Sequence, residues 1–360
     1  MIAVAAQSKA RELYRASDAV VGQVLARKQM AALLDRQWMV HQGLLDSASG
    51  AILSGRSGTG KTMTARLMCN RLGLAYAEAD ATRYTEGGYK GLDLSQMFMP
   101  LLESAARMKD ATQEARYQAL TAPPGRPPSV LKRPDIDELI ESAQTGVILL
   151  DEFDKWMLRI NHVTGEKDKA IQAELLKMIE GSIEYVSDSD EEVGVQFDTS
   201  RVLIICAGAF VGLFQQVAKR MHHDSDDRDY LQQENFWNQI TPEDFERFGL
   251  LPELAGRLST HIFTRPLSVQ SLKEILMREG GLVDEYRQRF EAYDCQWAVP
   301  ESALIHISQL AIQRDTGARA LEHVLWKRLG GEVLYEASVA DYPCQVVLTP
   351  DMPRAEIRPL

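Results

Sequence analysis

Between Gly55 and Thr62 the chain reads GRSGTGKT, which fits the pattern GxxxxGK[ST]. Glycines at this spacing let backbone amides face phosphate oxygens, and a helix starting just beyond them adds partial positive charge. The lysine of such a loop holds the β- and γ-phosphates and the hydroxyl after it ligates magnesium, roles that fall here to Lys61 and Thr62. A second stretch, LLDEFDK from Leu149 to Lys155, puts two carboxylates at the tip of an apolar run. Acids in that place are costly unless a metal or a reacting water uses them. Asp151 is expected to coordinate magnesium, directly or through water, and Glu152 to orient and polarise the attacking water. Alone, an acidic strand end is often a solvated edge; together with the phosphate loop it points to triphosphate hydrolysis.

Both motifs need a scaffold, and the flanking residues supply one. AIL, Ala51 to Leu53, reads as a strand feeding the glycine turn. TMTARLMCNRLG follows with Met63, Leu67, Met68 and Leu72 at helical spacing and a stop at Gly73. GVILL (Gly146 to Leu150) and RVLIICAGAF (Arg201 to Phe210) are continuous apolar runs of the kind found in buried parallel strands. Strands alternating with helices predict an α/β sheet. Ser8 to about Gln42 reads as two helices around a turn near AVVGQ, Ala19 to Gln23. TAPPGRPP, Thr121 to Pro128, lies in a polar stretch from Met108 to Pro134 that predicts a surface insertion. SDSDEEVG, Ser187 to Gly194, predicts an exposed turn between strands. After about Pro266 the pattern turns helical, with a final strand expected at CQVVLT, Cys344 to Thr349. The domains are therefore expected to be 1–265 and 266–360.

Composition narrows the partners. The 360 residues are 45% hydrophobic and 25% charged, an ordinary globular balance. Forty basic against 51 acidic residues leave a net charge of -11, so nucleic acid and anionic membranes are poor partners. Charges at Lys9, Arg11, Glu12, Arg15 and Asp18 interrupt any signal core, and no run reaches membrane-spanning length; a cytoplasmic protein is expected. Cys69, Cys206, Cys295 and Cys344 are too scattered for a zinc module or disulfide framework and read as reduced packing residues. His222 and His223, beside several aspartates, read as a solvated loop rather than a metal site.

VVGQ, ADATRYTEGGYKGLDL, LLDEFDK, IQAELLKMIEGS, FDTSRVLIICAGAF, FGLLPELAGRL and DTGARAL occur in the order and rough spacing of one family. From about Ser17 to Asp351 the chain resembles the ClpX-type AAA+ unfoldases. The resemblance implies an AAA+ large α/β ATPase domain followed by a small, mainly helical lid domain, with ATP and Mg2+ as cofactors. It implies that Gly55, Ser57, Gly58, Thr59, Gly60, Lys61, Thr62 and Met63 hold the nucleotide, with Thr62 and Asp151 at the metal. Val20, Val21 and Gly22 match the adenine-contacting turn, and Arg319 the arginine that reaches the nucleotide from the lid. Arg257 matches the arginine finger presented to a neighbouring subunit, which implies a homohexameric ring. An ordinary surface arginine contributes up to ~1 kcal/mol in a salt bridge, whereas a finger contributes on the order of 10³ to 10⁵ in rate. Tyr89 in GYKG matches the aromatic pore loop that grips a polypeptide substrate. Lys90 replaces the family's aliphatic residue and either favours acidic or polar substrates or points sideways into solvent.

The departures concern partners. Only about seventeen residues precede the first matched segment, so the zinc-binding adaptor domain is expected to be absent. The stretch from Phe210 to Thr241 holds no IGF-type tripeptide, the element that docks ClpX on ClpP. The basic pore-entrance loop is missing before Phe197, and Arg159 to Lys169 is shorter than the family's second pore loop. The 108–134 insertion falls where the related HslU has its intermediate domain, but the C-terminal AEIRPL does not match the HslU docking tail. Cys206-Ala207-Gly208 offers no polar residue in the sensor-1 place. Three readings follow: an unfoldase or remodeller threading polypeptide through a ring, a ring feeding a dedicated peptidase that the sequence does not identify, or a nucleotide-switched scaffold. The complete set of Lys61, Glu152, Arg257 and Tyr89 favours the first.

Overall fold

The computed structural model describes residues 8–48, 50–84, 92–120, 136–158, 165–187, 194–221, 234–237, 239–314 and 316–360. Tyr89 and Lys90, the TAPPGRPP stretch and the pair His222 and His223 lie outside them. The chain divides into two compact units. One comprises Met1–Ala19, Leu25–Ser54 and Lys61–Phe263; the other comprises Val20–Val24, Gly55–Gly60 and Thr264–Leu360. Two short segments that the sequence places in the first domain, 20–24 and 55–60, thus cluster with the second unit.

The first unit is built on strands β1 (Ala51–Ser54), β2 (Tyr76–Asp80), β3 (Val147–Asp151), β6 (Leu203–Gly208) and β7 (Thr260–Phe263). They form one sheet in the order β2-β3-β6-β1-β7 with every pairing parallel. The continuous apolar runs are explained by burial on both faces. Ile52, Ile148, Leu150, Ile204 and Cys206 enter one core, while Ala51, Leu53, Val147, Leu149, Leu203 and Ile205 enter the other. Helices Val24–His41 and Lys61–Leu72 cover the second face with Met30, Leu34, Ala65 and Met68. Helices Met99–Leu120, Gly165–Glu180 and Val211–Arg220 cover the first, through residues that include Leu101, Leu175 and Leu213.

Edge strands β2 and β7 carry no continuous apolar run, so nothing in the residues alone marks them as strands. In β2, YAEAD, only Ala77 and Ala79 are buried, the alternation of a half-covered edge. The polar stretch assigned to an insertion from Met108 is helical through Leu120, because its prolines begin only at Pro123. Strands β4 (Ile183–Ser187) and β5 (Gly194–Asp198) pair antiparallel on either side of the acidic stretch 188–193, which is outside the described residues. No described helix is long and apolar enough to cross a membrane.

In the second unit, helices Val269–Met277, Leu282–Glu291, Glu301–Ile312, Arg319–Leu329 and Glu332–Ser338 share a core that includes Leu272, Phe290, Ile307 and Leu325. The expected final strand is β9 (Cys344–Val347), and it has two partners that the sequence did not suggest. Strand β8 (Cys295–Ala298) pairs with it in parallel and β10 (Glu356–Pro359) antiparallel.

Candidate active site

The glycine loop belongs to the second unit, where it packs on the 20–24 turn and the start of the Arg319–Leu329 helix. Gly58 has φ +71°, and a Cβ there would stand 2.3 Å from the Thr316 carbonyl oxygen. Gly60 has φ +92°, and its Cβ would meet Val20 Cγ1 at 2.8 Å. Glycine is required at both places by conformation and by space. The Ala318 amide donates to the Gly58 carbonyl at 3.1 Å, and Arg319 Nη1 donates to Ser57 Oγ at 2.9 Å. Thr59 Oγ1 donates to the Arg56 carbonyl at 2.8 Å and shares a 2.6 Å hydrogen bond with Thr264 Oγ1. Gln23 ties the 20–24 turn to the backbone of Arg265 with two 2.8 Å hydrogen bonds. Gly55 to Gly60, the Val20-Val21-Gly22 turn and Arg319 are therefore brought together.

In the first unit, Lys61 and Thr62 open the helix that follows the loop; Lys61 is buried, Thr62 half-buried and Met63 exposed. Asp151 is the last residue of β3 and is half-buried, and its Oδ1 accepts from the Glu152 amide at 2.9 Å. Glu152 stands just past the strand, exposed, with φ +58°. Because β1 and β3 are parallel and flank β6, the loop after β1 and the acids after β3 leave the same edge of the sheet. Ligand chemistry in open α/β sheets concentrates at that carboxyl edge.

Within the first unit the donors suit a magnesium-bound triphosphate in kind: a lysine for phosphate oxygens, and a hydroxyl and a carboxylate for a hard cation. Among the described residues no group of three or more His, Cys, Asp or Glu could hold a metal. Thr62 and Asp151 would hold magnesium jointly with the nucleotide's own phosphates.

At the exit of β6, Cys206 and Ala207 are buried, and burial pushes the Cys206 thiol well above its ordinary pKa. That exit is tied to the acidic turn by two hydrogen bonds. The Phe153 amide donates to the Ala207 carbonyl at 2.9 Å, and the Phe210 amide donates to Asp154 Oδ2 at 3.2 Å. Asp154 stands in the quoted LLDEFDK motif but has no role legible in the sequence, because its partner Phe210 lies 56 residues away.

Arg257 is the last residue of the Pro252–Arg257 helix. Its Nε and Nη2 donate to Glu180 Oε1 at 3.0 and 2.8 Å, and both side chains are exposed. The short helix is held from behind by Gln172, which is fully buried. Its Nε2 donates to the Gly249 carbonyl at 3.1 Å and its Oε1 accepts from the Leu251 amide at 3.0 Å. Neither Glu180 nor Gln172 could be found from spacing, although both stand in the quoted IQAELLKMIEGS segment.

Comparison with known proteins bears on the same residues. The family model described as AAA domain (Cdc48 subfamily) matches residues 46–261, a span that includes the glycine loop, Asp151, Glu152 and Arg257. Proteins named ATP-dependent Clp protease ATP-binding subunit ClpX are similar over most of the chain. The one from Treponema denticola is 26% identical over 340 residues, covering 88% of this chain and 74% of its own. That from Azotobacter vinelandii is 30% identical over 296 residues, 77% of this chain and 60% of its own. That from Borrelia duttonii is 28% identical over 317 residues, 84% and 66%. The chain thus spans between 60% and 74% of the length of these relatives.

Proposed function

The chain belongs to the AAA domain family (Cdc48 subfamily) as a ClpX-like AAA+ ATPase, and from that footing we propose that it couples ATP hydrolysis to the unfolding and translocation of polypeptide. The observation that carries this reading is the carboxyl edge of the sheet, where the phosphate loop leaves β1 and Asp151 and Glu152 leave β3. A scaffold that only binds nucleotide needs the first of these and not the second.

In this reading Lys61 binds the β- and γ-phosphates, Thr62 and Asp151 hold Mg2+, and Arg319 and the Val20-Val21-Gly22 turn bind the nucleotide. Mg2+ supplies charge neutralisation for the transferred phosphoryl group when bound. Glu152 orients and polarises the attacking water. Arg257 acts in trans on the neighbouring protomer of a homohexamer, and release of its ion pair with Glu180 costs little because both side chains are solvated. Tyr89, beside Lys90, grips the polypeptide, and the work is done in the cytoplasm.

Two variants of the full chain test the proposal. Glu152→Gln should retain ATP binding and ring assembly while turnover stops; unchanged turnover would remove the role given to that carboxylate. Tyr89→Ala should spare basal ATPase and abolish unfolding of a model substrate, and normal unfolding would refute the pore assignment.

A further inference from the structure

We propose that Asp154 is a positioning residue that anchors the turn carrying Glu152 onto the exit of β6. The inference rests on the hydrolytic role proposed for Glu152. Asp154 is 1% exposed; one of its oxygens accepts from the Phe210 amide, and the other has no hydrogen-bond partner among the described residues. A carboxylate in such a place is expensive to bury, and its one hydrogen bond, from the Phe210 amide, could be accepted as well by a neutral amide side chain. Stability alone gives no reason for an acid here.

The geometry gives another reason. Glu152 and Phe210, with φ +58° and +48°, are two of the three non-glycine residues in the left-handed region among those described. Each is strained for a residue with a side chain and persists only where surrounding contacts hold it. The two stand just after β3 and β6, neighbouring strands, and their turns are cross-tied by the Phe153–Ala207 and Phe210–Asp154 hydrogen bonds. Gly208 makes the room: a Cβ there would lie 2.5 Å from Asp154 Oδ1. Lys155 Nζ lies 3.6 Å from Glu152 Oε2 and 3.9 Å from Asp154 Oδ2, so a cation stands between the buried acid and the exposed one. Cys206, Ala207 and Gly208 contribute no polar side chain at the strand exit. In this protein the connection from β6 to Glu152 therefore runs through the Phe210 amide, Asp154 and Lys155.

The test measures steady-state ATPase, binding of a fluorescent ADP analogue and thermal unfolding of the full chain. Displacing a reacting group by an ångström costs about 10²-fold in rate. Asp154→Ala should accordingly lower kcat on the order of tenfold to a hundredfold, with KM for ATP and ADP binding within about twofold. Asp154→Asn, which keeps an acceptor for the Phe210 amide, should recover most of the loss. Gly208→Ala, which displaces the carboxylate without deleting it, should reproduce the kcat defect and stands in if Asp154→Ala does not fold. Unchanged kcat in both Asp154→Ala and Gly208→Ala, or a fall in ADP binding that matches the fall in kcat, would overturn the proposal. If Glu152→Gln by itself leaves turnover intact, the hydrolytic reading fails instead, whatever Asp154 does.

Discussion

Replacing Gln172 with alanine should weaken the hold on the helix that ends in Arg257. The Gln172 amide is fully buried and satisfies two backbone groups, the Gly249 carbonyl at 3.1 Å and the Leu251 amide at 3.0 Å. Gly249 ends the Pro242–Phe248 helix and Leu251 leads into Pro252–Arg257, so this one side chain sets the corner between them. Alanine reaches neither group. An unpaired buried polar group costs about 1 to 3 kcal/mol, and here both partners are only partly buried, so a total of about 2 to 4 kcal/mol is expected. Leu254 and Ala255 stay packed in the same core as Leu175 and Met178, which limits the change to the corner and the short helix beyond it. Urea unfolding followed by tryptophan fluorescence would measure the stability loss, and steady-state ATPase the functional one. Turnover should fall while nucleotide affinity holds, since the hydrogen bonds of Gln172 go to Gly249 and Leu251, neither of them assigned to the nucleotide. A stability change below about 0.5 kcal/mol, the range of neutral surface substitutions, together with normal turnover would refute the reasoning.

Two further outcomes are expected. Gly58→Ala forces a side chain into the left-handed region and against the Thr316 carbonyl, pushing away the segment that carries Arg319; nucleotide affinity should drop at least about tenfold, roughly 1.4 kcal/mol, and calorimetric binding within twofold of wild type would contradict the packing described. Burial holds His41 and His261 below the ordinary imidazole pKa, so as pH falls the unfolded chain takes up protons before the native one does. The stability they contribute is complete above about pH 6.5 and is lost as pH falls below it. His41→Gln should flatten the pH dependence of urea midpoints between about pH 7 and 5; an identical slope in variant and wild type would dismiss that contribution.

What could be read directly were features whose physics is local. GRSGTGKT needs its glycines, lysine and threonine at fixed steps along one loop. GVILL and RVLIICAGAF are unbroken because both faces of a central strand are covered, and that shows in the run itself. Gly73, with φ +68°, ends its helix where the sequence indicates. Edge strands β2 and β7, half covered, leave only faint alternation, and β8 and β10 exist by virtue of pairing with β9.

The residues alone determined that a phosphate loop and a pair of acids follow buried strands, because chain order and apolar runs suffice for that. Tertiary structure decided that β6 lies between β1 and β3, and that Asp154 meets Phe210, Gln172 meets Leu251 and Ser57 meets Arg319. Those contacts join residues 56, 79 and 262 positions apart. Such partners are chosen by how layers pack, and no local propensity or spacing encodes them.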